Sequence, residues 1–177
     1  MKKLIYIVNG SGGSGKDSFC NIIKEYSGHD TYTTSSAKRA KKIAMDVFGW
    51  DGVTKNEKIR KLISVIKDLL TWWDDIPFKD MKGEVMYFEA TPSMEIMFIH
   101  VREPQEIQKL KNEFPYIKTI LITNKNVPVI TSNDADGGVF NYEYDYHIEN
   151  DGTLDDLKKT ALDFINQFYK ENNNSEV

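Results

Sequence analysis

The stretch of sequence that decides the fold is Gly10-Ser11-Gly12-Gly13-Ser14-Gly15-Lys16-Asp17-Ser18. Gly10, Gly15 and Lys16 fit the spacing of a phosphate-binding loop, which is a glycine, four residues, a second glycine and a lysine. In such a loop, successive backbone N–H groups turn inward around a polyphosphate, and the glycines keep side chains out of that approach. The sequence therefore predicts a site for a nucleoside triphosphate, with ATP as the expected ligand. The residues expected around it are Ser11, Gly12, Gly13, Ser14, Gly15, Lys16, Asp17 and Ser18.

The segments on either side of the loop supply the structural context that the motif requires. Residues 3–8 are nearly all apolar and rich in β-branched side chains, which is typical of a strand buried on both faces of a parallel sheet. Residues 16–26 have a helical pattern with Phe19, Ile22 and Ile23 on one stripe. A helix that begins at Gly15 or Lys16 points the positive end of its dipole at the anion, and Lys16 is expected to reach the outer phosphates.

The motif departs from its general form at position 17. Asp17 stands where many such loops have the Ser or Thr that binds Mg²⁺, and Ser18 follows one residue later. Ser18 is therefore the predicted hydroxyl ligand of Mg²⁺. Four roles are open for Asp17: stabilising the start of the helix, placing the waters of the metal, positioning an acceptor, or assisting catalysis.

Strand and helix patterns alternate along the rest of the chain. Strands are predicted at 31–34, 94–101, 116–123 and 144–148, and helices at 37–48, 56–73, 79–90, 104–113 and 153–169. Strands separated by helices imply crossover connections and a mostly parallel sheet. The predicted fold class is α/β, a three-layer α/β/α sandwich.

We interpret residues 1–177 as a single domain, because the length suits one domain and the chain has no evident linker or repeat. Residues 124–141 are the one long region without a clear period, which is typical of lids and binding loops. The polar residues 171–177 are predicted to form a frayed tail.

The composition excludes several classes of protein. Apolar residues make up 40% and charged residues 28% of the chain, which argues against disordered and fibrous classes. The 23 Lys and Arg against 27 Asp and Glu give a net charge of −4, which disfavours nucleic acid or a membrane surface as a partner. With no signal peptide and no run of ~20 apolar residues, we expect a cytoplasmic location. Cys20 is the single cysteine and is predicted to be a buried structural thiol.

Three stretches together resemble the P-loop kinases of deoxynucleoside monophosphates found in phages and bacteria. They are the end of the loop, Gly13-Ser14-Gly15-Lys16-Asp17-Ser18, the later Val101-Arg102-Glu103-Pro104, and Asp145-Tyr146-His147-Ile148-Glu149-Asn150-Asp151-Gly152-Thr153-Leu154. The Gly-Lys-Asp sequence is also similar to that of animal-type phosphomevalonate kinases, which share this fold. The likeness covers most of the chain, and the loop at 10–18 is its specific part.

The resemblance implies the P-loop containing nucleoside triphosphate hydrolase fold and an ATP-dependent transfer, with Mg²⁺, of the γ-phosphoryl group to a small phosphorylated acceptor. Such a transfer requires alignment of donor and acceptor and cations on the developing charge. It also implies that Asn150 and Gly152 lie in the loop beside the nucleotide base. By the same likeness, the helical region 37–92 forms the acceptor site.

Arginines are the expected source of further positive charge. Arg102 follows the strand at 94–101, and ligands bind at the carboxyl ends of such strands, so Arg102 is predicted to grip the acceptor phosphate. Arg39 lies in the helix at 37–48 and is predicted to be catalytic, with a solvated basic face as the alternative. Glu103 is predicted to orient magnesium-bound water; its alternative is that Glu103 and Pro104 open a helix.

Several points stay open at this level. A (deoxy)nucleoside monophosphate is the expected acceptor, and phosphomevalonate or dephospho-coenzyme A is the alternative. A nucleotide-binding regulatory module with little turnover is the third possibility, favoured by a lid segment in which Lys125 is the only basic residue. One of Trp72 and Trp73 is expected to pack in the core and the other to stack on the acceptor. A homodimer is also open.

Overall fold

A computed structural model describes residues 3–127 and 138–173. Five parallel strands form one sheet in the order β2-β3-β1-β4-β5. The strands are Leu4–Asn9 (β1), Thr31–Ser35 (β2), Ile96–His100 (β3), Lys118–Thr123 (β4) and Tyr146–Glu149 (β5). The helices are Lys16–Tyr26 (α1), Lys38–Phe48 (α2), Glu57–Asp74 (α3), Ile76–Ala90 (α4), Pro104–Glu113 (α5) and Leu154–Asn173 (α6). The three-layer α/β/α prediction is confirmed.

β1 lies at the centre of the sheet because both of its faces are apolar. Its six residues are all buried. Tyr6 and Val8 pack on one face beneath α1 and α6, whereas Ile5 and Ile7 pack on the other face beneath α4 and α5. β3 and β4 flank β1, and the connection between them crosses it. The carboxyl ends of these three strands therefore meet at one edge, beside the loop at 10–15.

The predicted elements are all present, with small shifts at their ends. α1 and α5 have the predicted bounds. Asn56 caps α3 by accepting a hydrogen bond from the backbone N–H of Ile59 at 2.9 Å. α4 begins three residues before the prediction, since Pro77 fits the first turn of a helix as well as it interrupts one. α6 continues to Asn173, so the first three residues of the predicted tail are helical.

The prediction that one of the two tryptophans packs in the core is wrong. The side chains of Trp72 and Trp73 are both exposed, at 77% and 72%, and contact each other with ring centroids 6.3 Å apart. Leu69, an apolar residue of the same helix, is exposed as well. These side chains are exposed because only a narrow side of α3 packs on the rest of the protein. The apolar cluster on that side is small and centred on Ala40, Ala44 and Ile66.

Cys20 is buried, as predicted, and burial raises the pKa of its thiol. Of the predicted lid segment 124–141, residues 128–137 lie outside the described residues, and so do the acidic and glycine positions Asp134, Asp136 and Gly137. Residues 138–140 form a short 3₁₀ helix. Residues 174–177 of the predicted tail are likewise outside the described part of the chain.

Candidate active site

The loop between β1 and α1 forms a cradle, by which we mean residues 10–15, at the carboxyl edge of the sheet. Gly10 lies so close to β4 that a Cβ atom there would overlap the carbonyl oxygen of Ile122. Gly15 has a φ of 96°, a conformation that side chains strongly disfavour, and a Cβ there would overlap the Asn150 amide. The backbone N–H of Ser14 donates to the carbonyl of Ser11 at 3.2 Å, which closes the turn. Gly10 and Gly15, at the two ends of the cradle, are therefore positions where only glycine fits.

Two asparagine side chains fix the cradle from opposite sides. Asn9 donates through Nδ2 to the Tyr144 hydroxyl at 2.8 Å and to the Arg102 carbonyl at 3.1 Å, and its Oδ1 accepts from the Gly10 N–H at 2.8 Å. Asn150 donates through Nδ2 to the carbonyl of Ser14 at 3.0 Å. The cradle is thereby joined to the ends of β3 and β5. Sequence reasoning missed Asn9 and Tyr144, although a polar residue at the end of an apolar strand was a usable signal.

Asn150 and Gly152 are thus placed differently from one another. Asn150 contacts the cradle backbone itself. Gly152 lies at the start of α6, where a Cβ would crowd the carboxylate of Asp156. That carboxylate accepts from the backbone N–H of Thr153 at 2.8 Å, and the Thr153 hydroxyl accepts from the backbone N–H of Asp156 at 3.2 Å. Gly152 therefore gives room for the cap of a helix.

Cationic side chains from three elements meet beside the cradle. Lys16 opens α1, Lys41 lies in the first turns of α2, and Arg102 follows β3. Desolvation lowers the pKa of the Lys41 ammonium; the charge of Asp17 opposes that shift, and the charges of Arg102 and Lys55 reinforce it. These effects place Lys41 within electrostatic range of Asp17 and Arg102. Lys41 was not among the site residues that the sequence predicted.

His100 is a further residue that sequence reasoning missed. It ends β3, its side chain is 18% exposed, and its Nε2 lies 4.0 Å from Oδ1 of Asp17. Burial lowers the pKa of the imidazole to about 4, with Asp17 opposing the shift and Lys16 and Lys41 adding to it. The imidazole is therefore neutral near pH 7. Its place at the end of a strand next to the cradle was the signal that could have identified it.

Arg39 points away from this group of charges. Its guanidinium forms two hydrogen bonds to the Asp80 carboxylate on α4, at 2.6 and 2.7 Å. Residues two positions apart on a helix differ by about 200° in direction, so Arg39 and Lys41 cannot face the same site. In the described structure, Arg39 is therefore paired with Asp80, whereas Lys41 lies within electrostatic range of Asp17 and Arg102.

Glu103 is held in an ion-pair network behind the site. Lys67 of α3, whose side chain is 8% exposed, donates to Glu103 at 2.5 Å and to Glu106 at 2.7 Å. Burial raises the pKa of Glu106 to about 7, while the Lys67 charge holds the pKa of Glu103 below its usual value. Glu103 also occupies the N-cap position of α5, with Pro104 in the first turn, as in the alternative interpretation. Ser18 is therefore the metal ligand that we carry forward.

Lys125, the basic residue of the predicted lid, is engaged elsewhere. Its ammonium lies 2.9 Å from Asp151 and 3.5 Å from Glu149, so it joins the loops after β4 and β5. In the same loop, the Val127 side chain lies over Gly13, where it would meet a Cβ at 3.0 Å. The loop after β4 therefore borders the outer side of the cradle.

The described residues fit ATP and Mg²⁺ in two respects. The cradle joins a buried strand to the N-terminus of α1, as the binding of a polyphosphate by backbone N–H groups requires. Asp17 and Ser18 are exposed in the first turn of α1, where a hydroxyl can join phosphate oxygens around Mg²⁺. Among residues 3–127 and 138–173, no three His, Cys, Asp or Glu side chains are grouped closely enough to form a metal site alone.

Comparisons with known proteins give a match in structure but not in sequence. No family model matches the chain, and no curated protein is similar to it in sequence. Its fold is similar to that of a gluconokinase from Sinorhizobium meliloti 1021, with a TM-score of 0.51, 13% identity and coverage of 99% of this chain and 98% of the other. A sugar kinase from Janibacter sp. HTCC2649 has a TM-score of 0.50 and 11% identity, with 94% and 95% covered.

A third solved structure, TT1252 from Thermus thermophilus, has a TM-score of 0.50 and 14% identity, with 94% and 98% covered. The chain has the P-loop α/β fold. At these identities the likeness concerns the fold, and the activity has to be argued from the site. Within the described part of the chain, no helix combines the length and the apolar character that crossing a membrane requires.

Proposed function

We propose that the protein is an ATP-dependent kinase that transfers the γ-phosphoryl group of ATP to the phosphate of a nucleoside or deoxynucleoside monophosphate. The observation that carries the proposal is the geometry of the cradle, which ends at Lys16 and is bonded through Asn9 to the backbone of Arg102 after β3. One lysine suffices for a triphosphate in a P-loop, whereas a further cation from a neighbouring strand end suits a second phosphate-bearing ligand. The resemblance of three sequence stretches to deoxynucleoside monophosphate kinases supports the same acceptor.

The proposed roles follow from placement. The amides of residues 11–16 bind the phosphates of ATP, and Lys16 neutralises the outer ones. Ser18 holds Mg²⁺, which supplies charge compensation on the β- and γ-phosphates when bound. Arg102 and Lys41 bind the acceptor phosphate. Bringing two anions together costs electrostatic energy, so cations at the point of transfer contribute directly to catalysis.

Asn9 and Asn150 act on the backbone and not on the substrate. By bonding Gly10, Ser14 and the carbonyl of Arg102, they keep the cradle in place relative to the end of β3. Donor and acceptor sites are thereby held in one geometry, since Arg102 belongs to the same network. A fixed distance between them is what phosphoryl transfer requires of the protein.

A coupled ADP-release assay with ATP and Mg²⁺ tests the proposal. The panel contains nucleoside and deoxynucleoside monophosphates, phosphomevalonate, dephospho-coenzyme A and gluconate. We expect turnover with one or more monophosphates, and a bisubstrate analogue should bind far more tightly than ATP alone. Intact ATP binding with no turnover on any member, and no gain from the acceptor half, would instead support the regulatory module.

Replacing the cradle lysine tests the donor site separately. Lys16→Ala should lower kcat/KM about a thousandfold, which is about 4 kcal/mol, and leave the fold intact. Lys24→Ala in the last turn of the same helix is the matched control and should leave kcat/KM unchanged. Full activity of the Lys16 variant would contradict the cradle assignment.

A hydroxyl acceptor, as in dephospho-coenzyme A, is the second candidate, and the Asp17–His100 pair favours it. A phosphate acceptor has no proton to lose at neutral pH, whereas a hydroxyl requires a base. Asp17 is an exposed carboxylate at the edge of the cradle, with its Oδ1 4.0 Å from His100. Under this candidate, Asp17→Asn abolishes turnover; under the first, it has a smaller effect on kcat.

A further inference from the structure

A buried ion-pair triad joins α3 to the start of α5. Ile66 and Lys67 are the two buried residues of α3, and Ile66 packs on the apolar cluster between α2 and α3. The Lys67 side chain, which is 8% exposed, reaches α5 instead, where its ammonium lies 2.5 Å from Glu103 and 2.7 Å from Glu106. The position of α3 relative to the end of β3 therefore depends on where Lys67 is held.

Stability alone does not explain the composition of this triad. Two carboxyl groups share one ammonium, and replacing a buried ion pair by apolar side chains is often neutral or stabilising. Glu103 is the N-cap residue of α5, yet its side chain makes no capping hydrogen bond to that helix. The Glu103 carboxylate is bonded to α3 instead of to its own helix, which indicates that the contact has a positional role.

Arg102 lies between two anchors of the backbone. Its carbonyl accepts from Nδ2 of Asn9 at 3.1 Å, and Oδ1 of the same Asn9 accepts from the backbone N–H of Gly10 at 2.8 Å. The next residue, Glu103, is bonded to Lys67. Because the peptide unit between Arg102 and Glu103 is planar, these two anchors restrict the direction in which the Arg102 side chain leaves the backbone. The chain at Arg102 is thereby bonded to the cradle on one side and to α3 on the other.

We propose that Lys67 and Glu103 are positioning residues, which direct the Arg102 side chain toward the acceptor phosphate. The role of Arg102 in this proposal rests on the proposed function, whereas the bonds that hold its backbone do not. Lys67 and Glu103 touch no substrate, and their effect passes through the backbone at Arg102. Glu106 bonds the same ammonium from about one turn further along α5 and does not adjoin Arg102, so it contributes to stability and not to positioning.

The arginine side chains allow a direct test by NMR, because the chain has three of them, Arg39, Arg60 and Arg102. A proton–nitrogen correlation spectrum of the Nε–H groups therefore contains three signals, and Arg102→Lys identifies the one from Arg102. Glu103→Ala should shift or broaden that signal and leave the other two unchanged. Arg39 is an internal control, because its Nε–H is bonded to Asp80 at 2.7 Å. The spectrum requires no turnover, so its result is independent of the proposed function.

Glu106→Ala is the matched control, since it removes the other carboxylate from the same ammonium. Each alanine variant leaves Lys67 with one ion-pair partner, so neither contains an unpaired buried charge and both should fold. Glu106→Ala should leave the Arg102 signal at its wild-type position. Glu103→Gln, which keeps an acceptor oxygen at the same reach, should restore most of that position. An unmoved Arg102 signal in Glu103→Ala, or an equal shift in the two alanine variants, overturns the proposal.

Steady-state kinetics extend the test to catalysis, with the monophosphate that the wild-type chain turns over fastest as the acceptor. Glu103→Ala should raise the KM for the acceptor about tenfold and change the KM for ATP less than about threefold. Glu106→Ala should change either KM less than about threefold. A merely structural role predicts parallel losses in the two variants, and that result overturns the proposal. A wild-type chain without turnover on any monophosphate refutes the proposed function instead, and the spectra then decide whether Lys67 and Glu103 position Arg102.

Discussion

The cradle and the helical pair α2–α3, which we propose as the donor side and the acceptor side of one site, are held in place by different forces. The cradle is fixed by backbone atoms: glycines at positions of close approach, and two asparagines bonded to main-chain groups. The helical pair rests on a small apolar cluster around Ala44 and Ile66 and on ion pairs between long side chains.

This difference indicates that the two regions differ in rigidity. Backbone packing has few alternative arrangements, so the triphosphate side is rigid before ligands bind. The exposed ion pair between Arg39 and Asp80 can exchange partners at small cost, so the proposed acceptor side can adjust there as a substrate enters. The proposed kinase would benefit from both properties, because its phosphate donor is always the same and its acceptor must be enclosed to exclude water.

Breaking the buried ion pairs of the helical pair should have the largest effect. Lys67→Met leaves Glu103 and Glu106 without their cation and should lower the free energy of unfolding by about 4 kcal/mol near pH 8. Lys79→Met, which removes an exposed ion pair with Asp74, is the control and should cost less than about 1 kcal/mol. Urea denaturation measures both.

The loss of stability in Lys67→Met should depend on pH, and the pKa of Glu106 determines the direction of that dependence. Its pKa rises from 4.5 to about 7 on folding, so the folded chain holds this proton more tightly than the unfolded chain. That contribution to stability is complete below pH 4.5 and is lost as the pH rises through about 7. The cost of Lys67→Met should therefore be smaller near pH 5 than near pH 8; an equal cost at both would contradict the assignment.

Adding a methyl group to the cradle tests whether its backbone packing is as rigid as we infer. Gly10→Ala places a Cβ against the carbonyl of Ile122, a backbone atom that cannot move aside, and should lower the free energy of unfolding by about 3 kcal/mol. ATP binding, followed by calorimetry, should weaken in parallel. Gly83→Ala, in the interior of α4 with open space around it in the described structure, should be neutral or stabilising by about 0.5 kcal/mol. Equal costs at the two positions would remove the distinction between the regions.

The smallest predicted effect distinguishes Lys41 from Arg39, two cations that lie two residues apart on α2. Lys41→Met should raise the KM for the acceptor about 30-fold, equivalent to about 2 kcal/mol, with little change in the KM for ATP. Arg39→Met should change either KM less than about threefold, since Arg39 is bonded to Asp80. The opposite result would show that α2 rotates when the acceptor binds.

The sequence alone determined the central features of this protein. The glycine and lysine spacing at 10–16, the buried strand before it and the alternation of strands and helices were sufficient for the P-loop α/β fold and the predicted cradle. They were sufficient because these features depend on local backbone geometry and on apolar periodicity, both of which a sequence displays directly.

Tertiary structure decided which side chains reach the cradle. Lys38, Arg39, Lys41 and Lys42 are similar in type, and the packing of Ala40 and Ala44 on α3 decides that Arg39 pairs with Asp80 while Lys41 lies within electrostatic range of Asp17 and Arg102. His100 and Glu103 lie three residues apart, yet one faces Asp17 and the other faces Lys67. The direction of a side chain depends on residues distant in the chain, and their positions become known only when the layers are assembled.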